Sequence, residues 1–102
     1  MRVKEKQVRK LLSRYHLTEF ETEVLIATAL IEEGRTITYK ELAARIGRPY
    51  SYRAVGNALG KNPLAPVIPC HRVIKSNGEL GGYSGNGGTL RKKNLLRSEK
   101  AI

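Results

Sequence analysis

Thr38-Tyr-Lys-Glu-Leu-Ala-Ala-Arg-Ile46, Gly47-Arg-Pro-Tyr-Ser51 and Tyr52-Arg-Ala-Val-Gly-Asn-Ala-Leu-Gly60 form the stretch that decides the fold of this 102-residue chain. Thr38 and Glu41 have the spacing of a capping box, in which a hydroxyl and a carboxylate each satisfy a free backbone N–H at a helix start. That spacing predicts a short helix through Ile46, with Leu42, Ala43 and Ile46 facing inward and Gly47-Arg-Pro49 as its stop. Ser51 is placed to cap a second helix, from Tyr52 to Leu59, that would bury Val55, Ala58 and Leu59 and close at Gly60. Helix, tight glycine-containing turn, helix is the outline of a helix-turn-helix, although the same outline also occurs as ordinary packing. The chemistry of the second helix favours nucleic acid: Arg53 sits near its N-terminus, and Ala54, Gly56 and Ala58 are small enough to let a duplex backbone come close.

Toward the N-terminus the pattern remains helical. Val8, Leu11, Leu12 and Tyr15 recur at steps of three and four among charged residues, which predicts an amphipathic helix over 4–15 with His16 just beyond it as a surface or helix-end histidine. A second capping box, Thr18-Glu-Phe-Glu21, opens a core helix whose apolar face is Phe20, Val24, Ala27, Leu30 and Ile31, with Gly34 as its stop. Toward the C-terminus the periodicity disappears at Asn62. Pro63, Pro66 and Pro69 forbid a regular helix and argue against a central strand. Val67-Ile68 and Val73-Ile74 are each long enough for a short strand, and Ser76-Asn-Gly78 has hairpin-turn chemistry between Ile74 and Leu80. The six glycines between Gly78 and Gly88 form a loop that core packing does not explain. Thr89 is placed to cap a last helix to Lys100, with Leu90, Leu95 and Leu96 inward and Arg91, Lys92, Lys93 and Arg97 solvated. The expected fold is mostly α, a helix-turn-helix domain of winged-helix-like character with a short β-hairpin and a Gly-rich active-site loop. Residues 1–15 form a helical lead and residues 16–102 one globular unit.

Charge is unevenly placed along this plan. Nineteen Lys and Arg face nine acidic residues, for a net charge of +10, and residues 1–34 are balanced, so the whole excess lies in residues 35–102. A polyanionic partner is the natural reading, with a solvated basic surface as the plain alternative. Every acidic residue is Glu, and only Glu41, Glu79 and Glu99 lie in the basic region, a poor supply for an Mg²⁺ or Ca²⁺ cage. No apolar run approaches the ~20 residues that span a bilayer, and no signal segment follows the charged N-terminus. One cysteine allows no internal disulfide and no multi-thiolate zinc site. Cys70 is therefore either a buried apolar filler or a reagent in a reducing, intracellular compartment, cytoplasmic or, in a eukaryote, nuclear.

Pro69-Cys-His-Arg-Val73 sets that cysteine beside one of two histidines within the basic region. A neighbouring cation or histidine base can take a thiol proton and leave the thiolate nucleophile. In an extended strand adjacent side chains point to opposite faces, so Cys70 and His71 can cooperate only through a turned backbone or a bridging water. A buried Cys beside a surface His is the plain alternative. Together with Thr36-Ile-Thr-Tyr39, Arg53-Ala-Val-Gly-Asn-Ala58, Lys61-Asn-Pro63, Gly82-Tyr-Ser-Gly85 and Leu95-Leu-Arg-Ser-Glu99, the segment Ile68-Pro-Cys-His-Arg-Val73 resembles the O6-alkylguanine-DNA alkyltransferases in order and nearly in spacing. The resemblance covers residues 16 to 100, the family's C-terminal DNA-binding and active-site domain.

The resemblance implies a DNA repair protein that transfers the alkyl group of O6-alkylguanine irreversibly to its own cysteine, as a monomer on double-stranded DNA, without metal or cofactor. Cys70 would be the acceptor, His71 would take its proton through a water, and Glu99 would orient that histidine, in the logic of hydrolase triads. Asn62 would join the helix-turn-helix to the active-site loop. Tyr39 would donate to guanine N3 and the Ser84 N–H would stabilise O6. The carbonyls of Cys70 and Val73 would accept from the exocyclic amine, and Tyr83 would wall the pocket. The lesion must be rotated out of the duplex; Arg53 would fill the space it leaves while the helix bearing Ala54, Gly56 and Ala58 lies in the minor groove, and Arg72 would add a DNA contact. The chain departs from the family in lacking its N-terminal α/β domain, in a stretch between Ser84 and Glu99 about two residues longer, and in Ile26 where an aromatic is common. Two other readings stay open: a non-enzymatic alkyltransferase-like lesion binder, a class that replaces the acceptor cysteine, and a transcription regulator using residues 36–60 alone.

Overall fold

Two capping boxes set the helix starts around which the rest of the chain packs. In the computed structural model, which describes residues 3–65, 67–81 and 88–102, Thr18 Oγ1 accepts from the Glu21 N–H at 3.0 Å and Glu21 Oε1 accepts from the Thr18 N–H at 2.9 Å. The same reciprocal pair recurs at Thr38 and Glu41, at 3.0 and 3.1 Å. The first box opens α2 (Glu19–Ala29) and the second opens α3 (Tyr39–Arg45). Ahead of them lies α1 (Val3–Leu12). After them come α4 (Tyr52–Leu59) and, beyond the proline-rich loop, α5 (Gly88–Ser98).

The core is built on α2, which packs against α1, α3, α4 and the turn that carries Cys70. Val24, Leu25, Ile26, Thr28, Ala29 and Ile31 are all buried, so α2 is enclosed on more sides than the single apolar face its periodicity predicts. The buried Thr28 hydroxyl is satisfied by donating to the Val24 carbonyl at 2.7 Å. Leu42, Val55, Ala58 and Leu59 close the core from α3 and α4, and Val8 and Leu12 close it from α1, while Leu11 in that helix and Tyr15 beyond it stay exposed. Each fully buried aliphatic side chain stabilises the fold by ~1.5–3 kcal/mol.

The helix-turn-helix forms as the sequence predicts. Gly47 ends α3 at φ +77°, its N–H donating to Ala44 and the Arg48 N–H to Ala43, the paired bonds of a Schellman stop. The residue before α4 is Ser51, but its side chain makes no capping bond. No helix is long and apolar enough to cross a membrane among the described residues.

Several local expectations are corrected. The strands are β1 (Ile37–Thr38) and β2 (Val73–Ile74), paired in parallel with Ile37 opposite Val73 and Thr38 opposite Ile74, so the sheet is not a hairpin. The Ser76-Asn-Gly78 turn does form, with the Lys75 N–H donating to Glu79 at 2.9 Å and Gly78 at φ +89°, yet among the described residues no strand follows it. Val67-Ile68 is not a strand either; the Ile68 N–H bonds back to Leu64 at 3.0 Å within the proline loop. In α5 the inward stripe is Lys92 and Leu96, both 0% exposed, while Leu90 is 68% exposed and Thr89 lies inside the first turn rather than at its cap. Apolar character at Leu90 is overridden because the face of α5 toward the Cys70 turn is set by Lys92 and Glu99, seven residues apart on one side of the helix.

Candidate active site

Pro69 removes a backbone donor and turns the chain, and Cys70–Arg72 forms a single turn of 3-10 helix. The Arg72 N–H donates to the Pro69 carbonyl at 2.9 Å, and the Val73 N–H to the Cys70 carbonyl, before the chain enters β2. With three residues per turn, the fan of consecutive side chains replaces the opposed faces of a strand. Cys70 is 6% exposed and His71 1%. The alternative of a buried cysteine beside a surface histidine is thus corrected, because the histidine is buried as well.

His71 Nε2 lies 3.0 Å from Glu99 Oε2. The Arg72 guanidinium grips the same carboxylate twice, Nε to Oε1 at 2.9 Å and Nη2 to Oε2 at 2.7 Å, and its Nη1 donates to the Ile31 carbonyl at 2.6 Å. The Arg72 bonds, first of all, hold Glu99 below the usual carboxylate range against the opposing effect of burial. An ionised carboxylate only accepts, so His71 Nε2 carries the ring proton and Nδ1 carries the lone pair. Burial pushes His71 below its ordinary 6.5, with the Glu99 carboxylate pulling the other way, so the imidazole is neutral at pH 7.

Arg72, which the resemblance offers as a DNA contact, makes an internal brace. All three of its nitrogens bond inward, which ties the Cys70 turn to the last residues after α5 and to the end of α2. Ala58 is buried, as its place on the inward side of the second helix predicts. It is 2% exposed because the helical period that turns Val55 and Leu59 inward takes Ala58 with them. Arg53 and Ala54 are exposed at the start of α4, and Gly56 is half-buried with a Cβ position 3.8 Å from the Tyr39 ring.

Asn62 uses both ends of its amide: Nδ2 donates to the Ile68 carbonyl at 2.8 Å and Oδ1 accepts from the Leu64 N–H at 3.0 Å. It thus clamps the proline loop that leads from α4 to Cys70. The neighbouring Lys61 adds a 2.7 Å ion pair to Glu21 at the start of α2. Tyr39 begins α3 directly after β1, which places it beside β2 and the Cys70 turn. Burial, with negative charge on Cys70 as a second cause, pushes the Tyr39 phenol above its ordinary value, so it keeps its proton and acts as a donor.

Tyr39 also lines a cavity of about 370 Å³ with Lys40, Tyr52, Arg53, Lys75 and Gly81. Gly81 stands at φ +75°, where a side chain strains the backbone, and a Cβ there would come 3.0 Å from the Tyr39 hydroxyl and crowd it. Another cavity, about 410 Å³ and edged by Glu32, Arg35, Glu41 and Arg45, contains none of the predicted site residues. Tyr83 and Ser84 lie outside the described residues.

Sequence reasoning missed Lys92, which it placed in solvent. The side chain is fully buried, and Nζ donates to the Val73 carbonyl at 2.7 Å. The available signal was spacing, since Lys92 stands one helical face from Glu99 with Leu96 between them.

Residues 19–101 match the family described as 6-O-methylguanine DNA methyltransferase, DNA binding domain. The methylated-DNA–protein-cysteine methyltransferase of Methanosarcina barkeri is 49% identical over 83 residues, covering 81% of this chain and 51% of that protein. Among solved structures, Mycobacterium tuberculosis OGT in complex with DNA is similar at a TM-score of 0.79 and 46% identity, covering 84% of this chain and 52% of that one. S. pombe Atl1, in complex with damaged DNA containing O6-carboxymethylguanine, is similar at a TM-score of 0.71 and 34% identity, covering 83% and 79%. The chain spans about half the length of the curated relatives it matches.

Proposed function

We propose that this chain, which belongs to the 6-O-methylguanine DNA methyltransferase family through that family's DNA-binding domain, moves the alkyl group of an O6-alkylguanine in double-stranded DNA onto Cys70. The observation that carries the reading is the buried turn in which Cys70 is followed by a histidine held 3.0 Å from Glu99. The thiol proton passes to His71, through a water. The sulfur then attacks the alkyl carbon in line, the S–C bond forms as the O6–C bond breaks, and a thioether remains. The leaving guanine takes up the proton that His71 received, while the Tyr39 phenol donates a hydrogen bond to N3 and the backbone N–H of Ser84 one to O6, so Tyr39 keeps its own proton. Since a thioether is a poor leaving group, the protein is consumed in one turnover. No cofactor enters this balance.

Arg53, exposed at the start of α4 and on the rim of the Tyr39 cavity, supports base rotation. It enters the duplex from the minor groove and occupies the space the lesion leaves, with Ala54 and Gly56 allowing the close approach. Lys40 and Lys75 on the same rim favour phosphate. An arginine that fills the stack acts on the rotation equilibrium more than on encounter. Arg53→Ala is therefore expected to slow transfer at saturating DNA by about tenfold or more, while the slope of log affinity against log salt changes by less than about one unit. A slope change without a rate change would make Arg53 a phosphate contact instead.

The test of function is intact mass after incubation with a duplex carrying O6-methylguanine. One equivalent of protein is expected to gain one methylene on Cys70. Tight binding of that duplex with no mass change would overturn the transfer reading and leave the lesion-binding alternative; preference for one undamaged sequence would point to a regulator.

The pH dependence follows from His71. Its neutral form is the base, and burial sets its proton affinity below that of an unfolded histidine at 6.5. The transfer rate is expected to hold down to pH 6.5 and to fall only below it. Stability moves the same way: below 6.5 the unfolded chain binds this proton before the folded one does, so the fold weakens as pH falls. Rate constants and unfolding midpoints between pH 5 and 7 check both, and a rate already halved at pH 6.5 would contradict the buried neutral imidazole.

A further inference from the structure

The two helices of the helix-turn-helix begin alike. Tyr39-Lys40 opens α3 and Tyr52-Arg53 opens α4, and all four residues line the cavity of about 370 Å³. The proposed transfer uses Tyr39 and Arg53 but gives Tyr52 no part. Tyr52 and Gly56 stand four residues apart, on one side of α4. The Tyr39 ring lies against Gly56, 3.8 Å from the position a Cβ would take, so Tyr52 is displaced from it toward the start of α4 by four residues, ~6 Å along the helix. Tyr52 is half-buried and packs against the core, and Lys40 Nζ stands over its ring, 5.3 Å from the centroid. Ring and cation thus make one surface, apolar with a positive charge at its margin.

We propose that Tyr52 holds the rotated nucleotide by its sugar: its ring takes the apolar C–H face of the deoxyribose, and Lys40 takes the phosphate beside it. The inference rests on the alkyl-transfer reading, in which the rotated base reaches Tyr39 and Arg53 fills the gap it leaves. What joins those two points is the sugar and its phosphate, and what lies between them on the cavity rim is Tyr52. The chemistry matches, since a deoxyribose with its phosphate is an apolar ring with an anion at its margin. Lys40 is available to that anion: the neighbouring Glu41 carboxylate accepts from the Thr38 N–H in the capping box, and Lys40 makes no ion pair among the described residues.

Tyr39 follows directly on β1, whose partner β2 continues from the Cys70 turn, whereas Tyr52 and Arg53 stand at the start of α4. Tyr52 therefore serves the rotated state and not the reacting atoms. A tyrosine has few rotatable bonds, and one already anchored on the core loses little freedom when a sugar arrives. The contact opposes return of the base to the stack and leaves the chemistry at Cys70 as it is. A substrate with no sugar does not meet Tyr52, which separates holding a nucleotide from shaping the reaction pocket.

The experiment has two arms. In the first, intact mass follows single-turnover transfer to the wild type, Tyr52→Ala, Tyr52→Phe and Lys40→Met, from a saturating O6-methylguanine duplex and from O6-methylguanine as the free base. Tyr52→Ala should slow transfer from the duplex by roughly fivefold or more, the size expected when one ring face loses its apolar contact, and leave free-base transfer within about twofold of wild type. Tyr52→Phe keeps the ring and should recover most of the duplex rate. Lys40→Met should lower the slope of log affinity against log salt by about one unit, again with the free base unaffected. In the second arm, Cys70→Ser binds a duplex carrying 2-aminopurine beside the lesion, whose fluorescence rises when its neighbour leaves the stack, and adding Tyr52→Ala should reduce that rise. A wild-type duplex rate in Tyr52→Ala, equal slowing on duplex and free base, or an unchanged fluorescence rise would overturn the proposal. Where the free base reacts too slowly to follow, the fluorescence arm decides. If Tyr52→Ala does not fold by circular dichroism, Tyr52→Leu, which keeps the packing on the core without the flat ring, takes its place with the same expected loss. A wild type that gains no methyl group from either substrate defeats the transfer reading instead, and the fluorescence arm still reports whether Tyr52 holds a rotated nucleotide.

Discussion

Cys70→Ser is expected to bind the lesion-bearing duplex as tightly as the wild type and to gain no alkyl group over hours. The two side chains differ by one atom, and Cys70 is 6% exposed in a turn held by backbone bonds that the substitution leaves in place. What changes is the nucleophile. An ordinary thiol ionises near pH 8.5, whereas a hydroxyl holds its proton about as firmly as water does, so the reactive anion becomes scarcer by a factor on the order of 10⁷. Neutral His71 next to it cannot close a gap of that size. Intact mass and a gel-shift titration measured on one sample separate the two properties. Any methylene gained by the serine protein at a rate within about a thousandfold of wild type would mean that the acceptor lies elsewhere.

Glu99→Ala carries the largest expected cost to the fold. That carboxylate receives two bonds from Arg72 and one from His71, and its side chain is 11% exposed. Its removal strands the Arg72 guanidinium, itself only 13% exposed, with the Ile31 carbonyl as its remaining partner. Leaving one charge of a buried pair behind typically costs ~3–5 kcal/mol, a large part of the 5–15 kcal/mol that holds a small domain folded. At ~4–8 °C per kcal/mol for a domain of this size, the thermal midpoint should fall by more than about 10 °C. The pH dependence supplies a second signature. Arg72 holds the folded Glu99 below its ordinary 4.5, so its stabilising effect is complete above that value and is lost as pH falls through the lowered one. In Glu99→Ala this acid-side loss should vanish along with the stability it represents. Transfer should slow as well, since His71 loses the acceptor that fixes its proton on Nε2. A midpoint within about 2 °C of wild type would show that water replaces the carboxylate at little cost.

The helical part of the fold was legible because its signals are local. Each capping box states a helix start in four residues, Gly47 states a stop, and Val55, Ala58 and Leu59 repeat at helical spacing. The parallel pairing of Ile37 with Val73 was not legible, because two-residue strands separated by 34 residues carry no periodicity of their own and are specified by packing. The reactive turn was half legible. Pro69 and the Cys70-His71 pair marked the place, and the register of Leu95 to Glu99 marked the acid that stands 3.0 Å from the histidine. Composition treated the remaining cations alike, yet Arg72 and Lys92 turn inward while Arg53 stays in solvent. A basic side chain on the surface and one in a buried network look identical as letters. Only partners distinguish them, and those partners, Ile31, Val73 and Glu99, come from three distant parts of the chain.

The two-rung ladder between β1 and β2 has a topological consequence. Tyr39 follows one rung and Arg72 precedes the other, so everything from residue 39 to residue 72, including α3 and α4, is an excursion whose two ends are pinned side by side. The spacing between the phenol and the thiol is set at the base of that excursion and not along it. On the proposed function, insertions or repacking within the loop of helices would change how the molecule grips a duplex while leaving the reactive pair in register. Grip and chemistry can therefore diverge independently in a single short chain.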